Sequence, residues 1–322
     1  MYNHYVYKRV ILHQIFTYNT IYTSMIALIL ATICAALFSI LFKIFKLKSI
    51  DTMPAIIYNY LAATVLSLVF SYNGSNGFVN PVQTDWFYPA IFTGLIFILG
   101  MMVLSVCTIR VGVAISTVSS RVSMIIPILV NYLFIPGSEK PQWIAIIVIL
   151  FAMLLIVWQK RENSGSERGD KSVLDIIIPL SVFVMFGLSN SFLKLVQHSI
   201  SSNSSLSDTS VNQQLSMVTF VIFISAAVMG GVFIIFNKKS KLAMMLKWKN
   251  ILGGIALGAS NFFCTYLLMV AMKSIKTELL FPLHNIGIVA IGVIAGWGFY
   301  HEKMKPHQIV GFVIAAIAIC FL

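Results

Sequence analysis

From Met25 to Phe42 the chain reads MIALILATICAALFSILF, eighteen residues without a charge. Runs of this kind recur along the sequence and constrain the fold more than any other feature. About 17 to 25 apolar residues are enough to cross the hydrocarbon core of a bilayer as a helix. In lipid every backbone N–H and C=O must be satisfied within the protein, so such runs are helical. Ten candidate helices can be marked, at about 22–43, 54–71, 86–109, 113–134, 142–158, 173–196, 212–236, 249–272, 278–299 and 307–322. Only 10% of the residues are charged, against roughly 25% in a soluble domain, and mean hydropathy is +0.92. The expectation is an all-α polytopic membrane protein of ten transmembrane helices, not a soluble domain with a large core.

The segments between the runs are turn-forming or charged. SYNGSNGFVNP (71–81) and SSNSSLSDTS (201–210) favour turns and solvated backbone. QKRENSGSERGDKS (159–172) is the longest strongly charged stretch and lies at the midpoint, so residues 161–172 read as a linker. Residues 1–24 lack the small-residue cleavage site of a signal peptide. Met25 opens a cleaner helix, and translation starting there would leave the extension 1–24 without a structural role. The organisation is then a first five-helix unit at 25–160 and a second at 173–322. Five is odd, so the second unit enters the membrane in the opposite sense, the condition for an inverted-topology repeat. FSILFKIF (38–45) and SNSFLKLV (189–196) place Lys43 and Lys194 alike near the ends of the two first helices. RVGVAIS (110–116) and KSIKTEL (273–279) are tight basic connections between third and fourth helices.

The net charge of +12 is not the footprint of a nucleic-acid binder, because the basic residues sit beside the apolar runs as cytoplasmic loops do. Fifteen lysines and arginines fall in the connections after helices 1, 3, 5, 7 and 9 and six on the opposite side. That bias places both termini outside the cytoplasm, in the plasma (inner) membrane of a bacterium-like cell. Cys34, Cys107, Cys264 and Cys320 are scattered singly through apolar segments without ligand spacing, so they read as small hydrophobes. No cofactor or metal is expected. HEKMKPH (301–307) has lysine at 305 where the zinc motif H-E-x-x-H needs its second histidine.

The polar residues inside the runs carry the functional reading. Arg121 stands in STVSSRVSMIIPILV (116–130) with no acidic residue nearby in sequence. Charges at membrane depth face a bundle interior or a watery cavity and mark a pathway. Ser116, Ser120 and Ser123 give this helix one polar side, and Pro127 frees a carbonyl that helps it bend. The matching helix of the second half carries His284 and Asn285 close to where Arg121 maps under the repeat. Asn190 and Lys194 lie on one face of helix 6, Asn59 and Tyr60 on helix 2, and Asn261 with Thr265 on helix 8. Arg121, Asn59, Tyr60, Asn190, Lys194, Asn261, His284 and Asn285 are therefore the candidate substrate-binding residues around a shared cavity. Gly254 with Gly258, and Gly292 with Gly296, are pairs that let helices approach closely.

The segments GVAISTVSSRVSMIIPI (112–128), FGLSNSFLKLVQ (186–197), LGASNFFCTYLL (257–268) and LLFPLHNIGIVAIGVIAGWGFYHEKMKPHQIVGFVIAAIAI (279–319) resemble the ten-helix EamA-type branch of the drug/metabolite transporter superfamily. The resemblance runs from about residue 25 to the end. An apolar helix, a Glu-Lys turn at Glu302 and a Gly-containing final helix close the repeat in that family, whereas FIPGSEK (134–140) displaces the acidic turn to Glu139. The resemblance implies a carrier of small organic molecules working by alternating access, with the two halves rocking about a central site. Every Asp and Glu falls in a loop or near a helix end, so Arg121 leaves the cavity positive. The substrate expected is a small anionic or zwitterionic metabolite, exported or exchanged across the bilayer, and a homodimer is compatible with the sequence. The alternatives are a lipophilic multidrug exporter of the same superfamily and a membrane-embedded transferase. An enzyme is not the expectation, because no GxSxG, P-loop or Cys/His cluster is present.

Overall fold

The computed structural model describes the chain except for residues 1, 73–79, 112, 139, 158–172, 202–207, 237–246, 301–305 and 322. The charged linker at 161–172 and the acidic turn residues Glu139 and Glu302 lie outside the described residues. Eleven helices are found among those described: α1 (Tyr2–Lys48), α2 (Thr52–Ser71), α3 (Phe87–Arg110), α4 (Val113–Val122), α5 (Ile125–Phe134), α6 (Trp143–Val157), α7 (Leu174–Ser201), α8 (Asp208–Phe236), α9 (Trp248–Ala271), α10 (Thr277–Tyr300) and α11 (Pro306–Ile319).

Among the described residues eight apolar spans are long enough to cross a membrane, with α4 and α5 together forming one of them. This is an integral membrane protein. The fifth and tenth expected spans emerge instead as shorter apolar helices, α6 of 15 residues and α11 of 14. At 1.5 Å per residue their described residues rise roughly 22 Å and 21 Å, each adjoining residues outside the described ones. They pack on each other, with Gln308 Nε2 donating to the Ile156 carbonyl at 3.1 Å. The first span begins at Thr20, upstream of Met25. Ser24 is 1% exposed and its hydroxyl donates to the Val270 carbonyl at 3.5 Å, so the end of the supposed extension is packed into the bundle.

The most extensive seam is between α2 and α9; α9 also packs on α1, and α1 reaches α10. Opposite them, α3 packs on α7 and α8, while α4 and α5 lean on α7. The α2–α8 contact joins these two sets. Glycine makes the α2–α9 approach feasible. A Cβ at Gly258 would lie 2.5 Å from the Asn59 carbonyl oxygen, and one at Gly254 would overlap Tyr58 and lie 2.7 Å from the Ala55 carbonyl oxygen. On α3, Gly94 is closed in the same way by Ser225 and Ile222 of α8. Gly292, expected to serve a similar approach, has open space in front of it.

The membrane-boundary end of the α2–α9 seam is pinned by Asp51, the residue before α2. Its carboxylate accepts from Asn250 Nδ2 at 3.0 Å and Lys247 Nζ at 3.1 Å, and its backbone N–H donates to Asn250 Oδ1 at 2.9 Å. The hydrogen bond from Asn250, then the bond and charge of Lys247, hold the Asp51 carboxyl below the usual carboxylate range.

Two outcomes are expected in detergent. Gly258→Ala should lower the melting temperature, since overpacking costs about 1–3 kcal/mol, whereas Gly292→Ala should leave or raise it; equal effects would mean that the close approach is wrong. Because the Asp51 pKa is depressed on folding, its stabilisation is full above the unfolded value of about 3.9 and is lost as pH falls through the lower folded value. The melting-temperature gap between wild type and Asp51→Asn should therefore close on acidification below about pH 4. A gap constant from pH 7 to 3 would show the carboxylate unlinked to folding.

Candidate functional site

The helix carrying Arg121 is broken. Residues 123 and 124 form a turn between α4 and α5, with Met124 N–H bonded to the Arg121 carbonyl at 3.2 Å and Ile126 N–H to Ser123 at 3.0 Å. Pro127 accounts for the place. It has no N–H to give to the Ser123 carbonyl four residues back, and its ring clashes there. Hydroxyls support the strained stretch from within, Ser120 donating to Thr117 O at 2.9 Å and Ser123 to Ser120 O at 2.6 Å. Pro282, by contrast, is accommodated inside the unbroken α10.

Two residues before the break, Arg121 Nη1 reaches Asn285 Oδ1 on α10 at 3.5 Å, the limit of a hydrogen bond. Its Nε is buried without a partner among the described residues. The Cys264 thiol of α9 and the His284 ring of α10 stand within Coulombic reach of the guanidinium. Asn285 is fixed by donating Nδ2 to the Phe281 carbonyl at 2.9 Å. His284 Nδ1 lies 3.0 Å from Thr32 Oγ1 of α1. That hydroxyl also sits 2.7 Å from the Leu28 carbonyl, which can only accept. The one hydroxyl proton goes to Leu28, so the histidine donates from Nδ1, and Nε2 is the bare nitrogen of the neutral ring.

The cluster continues along α9. Ser260 donates to the Cys34 carbonyl at 2.7 Å. Asn261 Nδ2 donates to Asn59 Oδ1 at 3.1 Å, joining α9 to α2. Asn59 Nδ2 and the Tyr60 hydroxyl are buried and have no partner among the described residues. The Tyr60 ring rests tilted against Phe223 of α8, centroids 6.3 Å apart, and Phe223 in turn lies 6.4 Å from Phe97 of α3.

Of the eight candidate residues, Arg121 on α4 thus meets Asn285, next to His284 on α10, and Asn59 on α2 is bonded to Asn261 on α9, while Tyr60 turns its ring to Phe223. Lys194 is placed elsewhere. Its Nζ donates to Gln197 Oε1 at 3.1 Å and to the Met272 carbonyl at 3.4 Å, with buried Glu278 within Coulombic reach. Asn190 lies half-buried one turn before it on α7. Nearby, Thr277 donates to Asn131 Oδ1 at 3.0 Å, linking α10 to α5. Sequence reasoning passed over Thr32, Cys264 and Ser260, which look like small packing residues in apolar runs. Their i+3 or i+4 spacing from neighbouring polar positions on α9 was the available signal for the last two. No group of three or more His, Cys, Asp or Glu able to hold a metal ion occurs among the described residues.

No family model matches the chain. An uncharacterized protein of Haemophilus influenzae (strain ATCC 51907 / DSM 11121 / KW20 / Rd) is 24% identical over 302 residues, covering 91% of this chain and 95% of the relative. A solved structure, described only as the crystal structure of a protein, is similar with a TM-score of 0.64 at 9% identity, over 92% of this chain and 95% of that one. The second likeness is one of fold alone.

The histidine assignment is testable. In protein labelled with ¹⁵N-histidine, the His284 signal, identified by its loss in His284→Gln, should show the Nδ1–H tautomer. Thr32→Val should abolish that preference. An Nε2–H tautomer in the wild type would contradict the assignment.

Proposed function

We propose that the protein is a carrier that exports or exchanges a small anionic or zwitterionic metabolite by alternating access around the Arg121 cluster. One observation carries the reading: a permanently charged guanidinium at a helix break, its Nε buried without a partner and its best contact 3.5 Å long. Leaving a buried donor unmatched costs about 1–3 kcal/mol, and an uncompensated buried charge several kcal/mol. A bound anion would relieve both. Discontinuous helices at membrane depth are tolerated where they line a cavity, and in secondary transporters they form the binding site.

The packing supports an inverted repeat and the resemblance to EamA-type carriers. If α1, α2, α3, α4 with α5, and α6 are exchanged for α7, α8, α9, α10 and α11, the principal helix contacts map onto one another. The α2–α9 seam becomes α8–α3, α1–α9 becomes α7–α3, and α1–α10 becomes α7 with α4 and α5, while α2–α8 and α6–α11 map onto themselves. The same pattern favours rigid bodies other than the halves expected from sequence. α1 and α2 are welded to α9 and α10, and α3, α4 and α5 to α7 and α8. Each moving body then draws helices from both halves, and the α2–α8 contact is the pivot between them.

The test is a thermal-shift screen of the purified protein with amino acids, organic acids, nucleotides, sugars and cationic dyes. A ligand at a hundred times its Kd adds about 2.7 kcal/mol of stability. Hits should be anionic or zwitterionic and should be lost in Arg121→Gln. Transport in proteoliposomes retained by both Arg121→Gln and Arg121→Lys would sink the assignment, as would binding of a quaternary ammonium dye unaffected by Arg121→Ala.

A further inference from the structure

Hydrogen bonds between the two packed sets of helices gather at one boundary of the bundle. One set is α1, α2, α9 and α10, the other α3, α4, α5, α7 and α8. Lys273, just past α9, donates Nζ to Asn212 Oδ1 of α8 at 2.9 Å. Lys194 of α7 donates to the carbonyl of Met272, which follows α9, at 3.4 Å. Thr277, the first residue of α10, donates to Asn131 Oδ1 of α5 at 3.0 Å. The turn 272–277 between α9 and α10 thus holds three helices of the opposite set. Beside it, on the α2–α8 seam, Gln213 Nε2 donates to the Ser71 carbonyl at 3.3 Å.

These groups lie at the ends of α2, α5, α7 and α9 and at the starts of α8 and α10. Helices that cross a bilayer in alternating sense bring those ends to one side. The opposite boundary is built differently, because the ion pairs described there each stay inside one set. Asp51 takes Lys247 at 3.1 Å within the first, and Arg110 takes Asp175 at 3.0 Å within the second. Toward that boundary the α2–α8 seam is apolar: a Cβ on Gly230 would lie 3.5 Å from Ile57 Cγ1.

We infer that the turn 272–277 is the carrier's gate, clasping α5, α7 and α8 to close its own boundary and leaving the sets to part first at the Asp51 boundary. This rests on the carrier reading and deepens it. Met272, Thr277 and Asn131 are buried, and a buried polar group that loses its partner costs stability until water or a new partner replaces it. Parting at the turn breaks three such bonds. Parting at the Asp51 boundary, about the α2–α8 pivot, breaks neither ion pair. The turn is anchored to its own set, since Ile275 is buried in the core and the Met272 N–H bonds to the Leu268 carbonyl at 3.0 Å. Lys194 then serves closure rather than substrate, which accounts for its place away from Arg121.

The experiment uses the full chain in lipid nanodiscs, with the four cysteines replaced by alanine and spin labels on exposed residues of the two sets. Ser274 with Asp85 spans the gate boundary, and Lys249 with Val173 spans the other. Double electron–electron resonance should show mainly a short, narrow distance for Ser274 with Asp85 in the parent protein. Lys273→Met combined with Thr277→Val should raise the population at longer distance at least threefold. Lys273→Arg, which keeps a donor, should leave the parent distribution. An unchanged Ser274–Asp85 distribution in the double variant overturns the inference, as does widening confined to Lys249 with Val173. Thr277→Val alone, close to isosteric, serves if the double variant does not fold; it should raise the longer population at least twofold, and no rise overturns the inference. The carrier reading survives each of these failures and falls only if the ligand screen is empty.

Discussion

The rest of the architecture depends on how closely α9 can approach α2. At Gly258 the carbonyl oxygen of Asn59 occupies the space that any side chain would need. That contact sets the spacing at which Asn261 can reach Asn59, and Ser260 and Asn261 are buried with their hydrogen bonds running to α1 and α2. The seam is pinned at its boundary end by Asp51, Lys247 and Asn250. Without hydrophobic driving force between helices in lipid, close van der Waals packing and a few interhelical hydrogen bonds have to hold them. Glycine and asparagine supply both on this seam.

The polar cluster inherits its character from what the seam leaves unmatched. Thr32, Ser260, Asn261 and Asn285 each find an acceptor. The guanidinium of Arg121 does so only marginally. The break at residues 123 and 124 keeps that helix from continuing past the arginine in register, so the charge is held at the interior end of a short helix. A fully satisfied network would be structural; in this one Arg121 Nε, Asn59 Nδ2 and the Tyr60 hydroxyl have no partner among the described residues.

Much of this was readable in the residues. Apolar runs located the helices because lipid permits little else, and Pro127 marked the bend that appears as the break before α5. The pairing of Gly254 and Gly258 announced the close seam. Other features depend on tertiary contacts that have no local signature. Thr32 in ALILATICAAL resembles filler, and only the fold brings it to His284. Lys194 and Arg121 look equivalent as lone cations in apolar helices, yet Lys194 is satisfied by Gln197 and the end of α9. The partition of helices from both halves into each packed set was also illegible, since sequence order says which helices are neighbours along the chain and not across it.

The proposed chamber, hydrated and electropositive around Arg121, can be tested directly at Cys264, a free, half-buried cysteine of α9 within Coulombic reach of the guanidinium. In a background with Cys34, Cys107 and Cys320 replaced by alanine, an anionic sulfonatoethyl thiosulfonate should modify Cys264 several-fold faster than a cationic trimethylammonium analogue of similar size. Arg121→Gln should erase the difference. Equal rates for the two reagents with Arg121 present, or no reaction with either, would contradict the chamber.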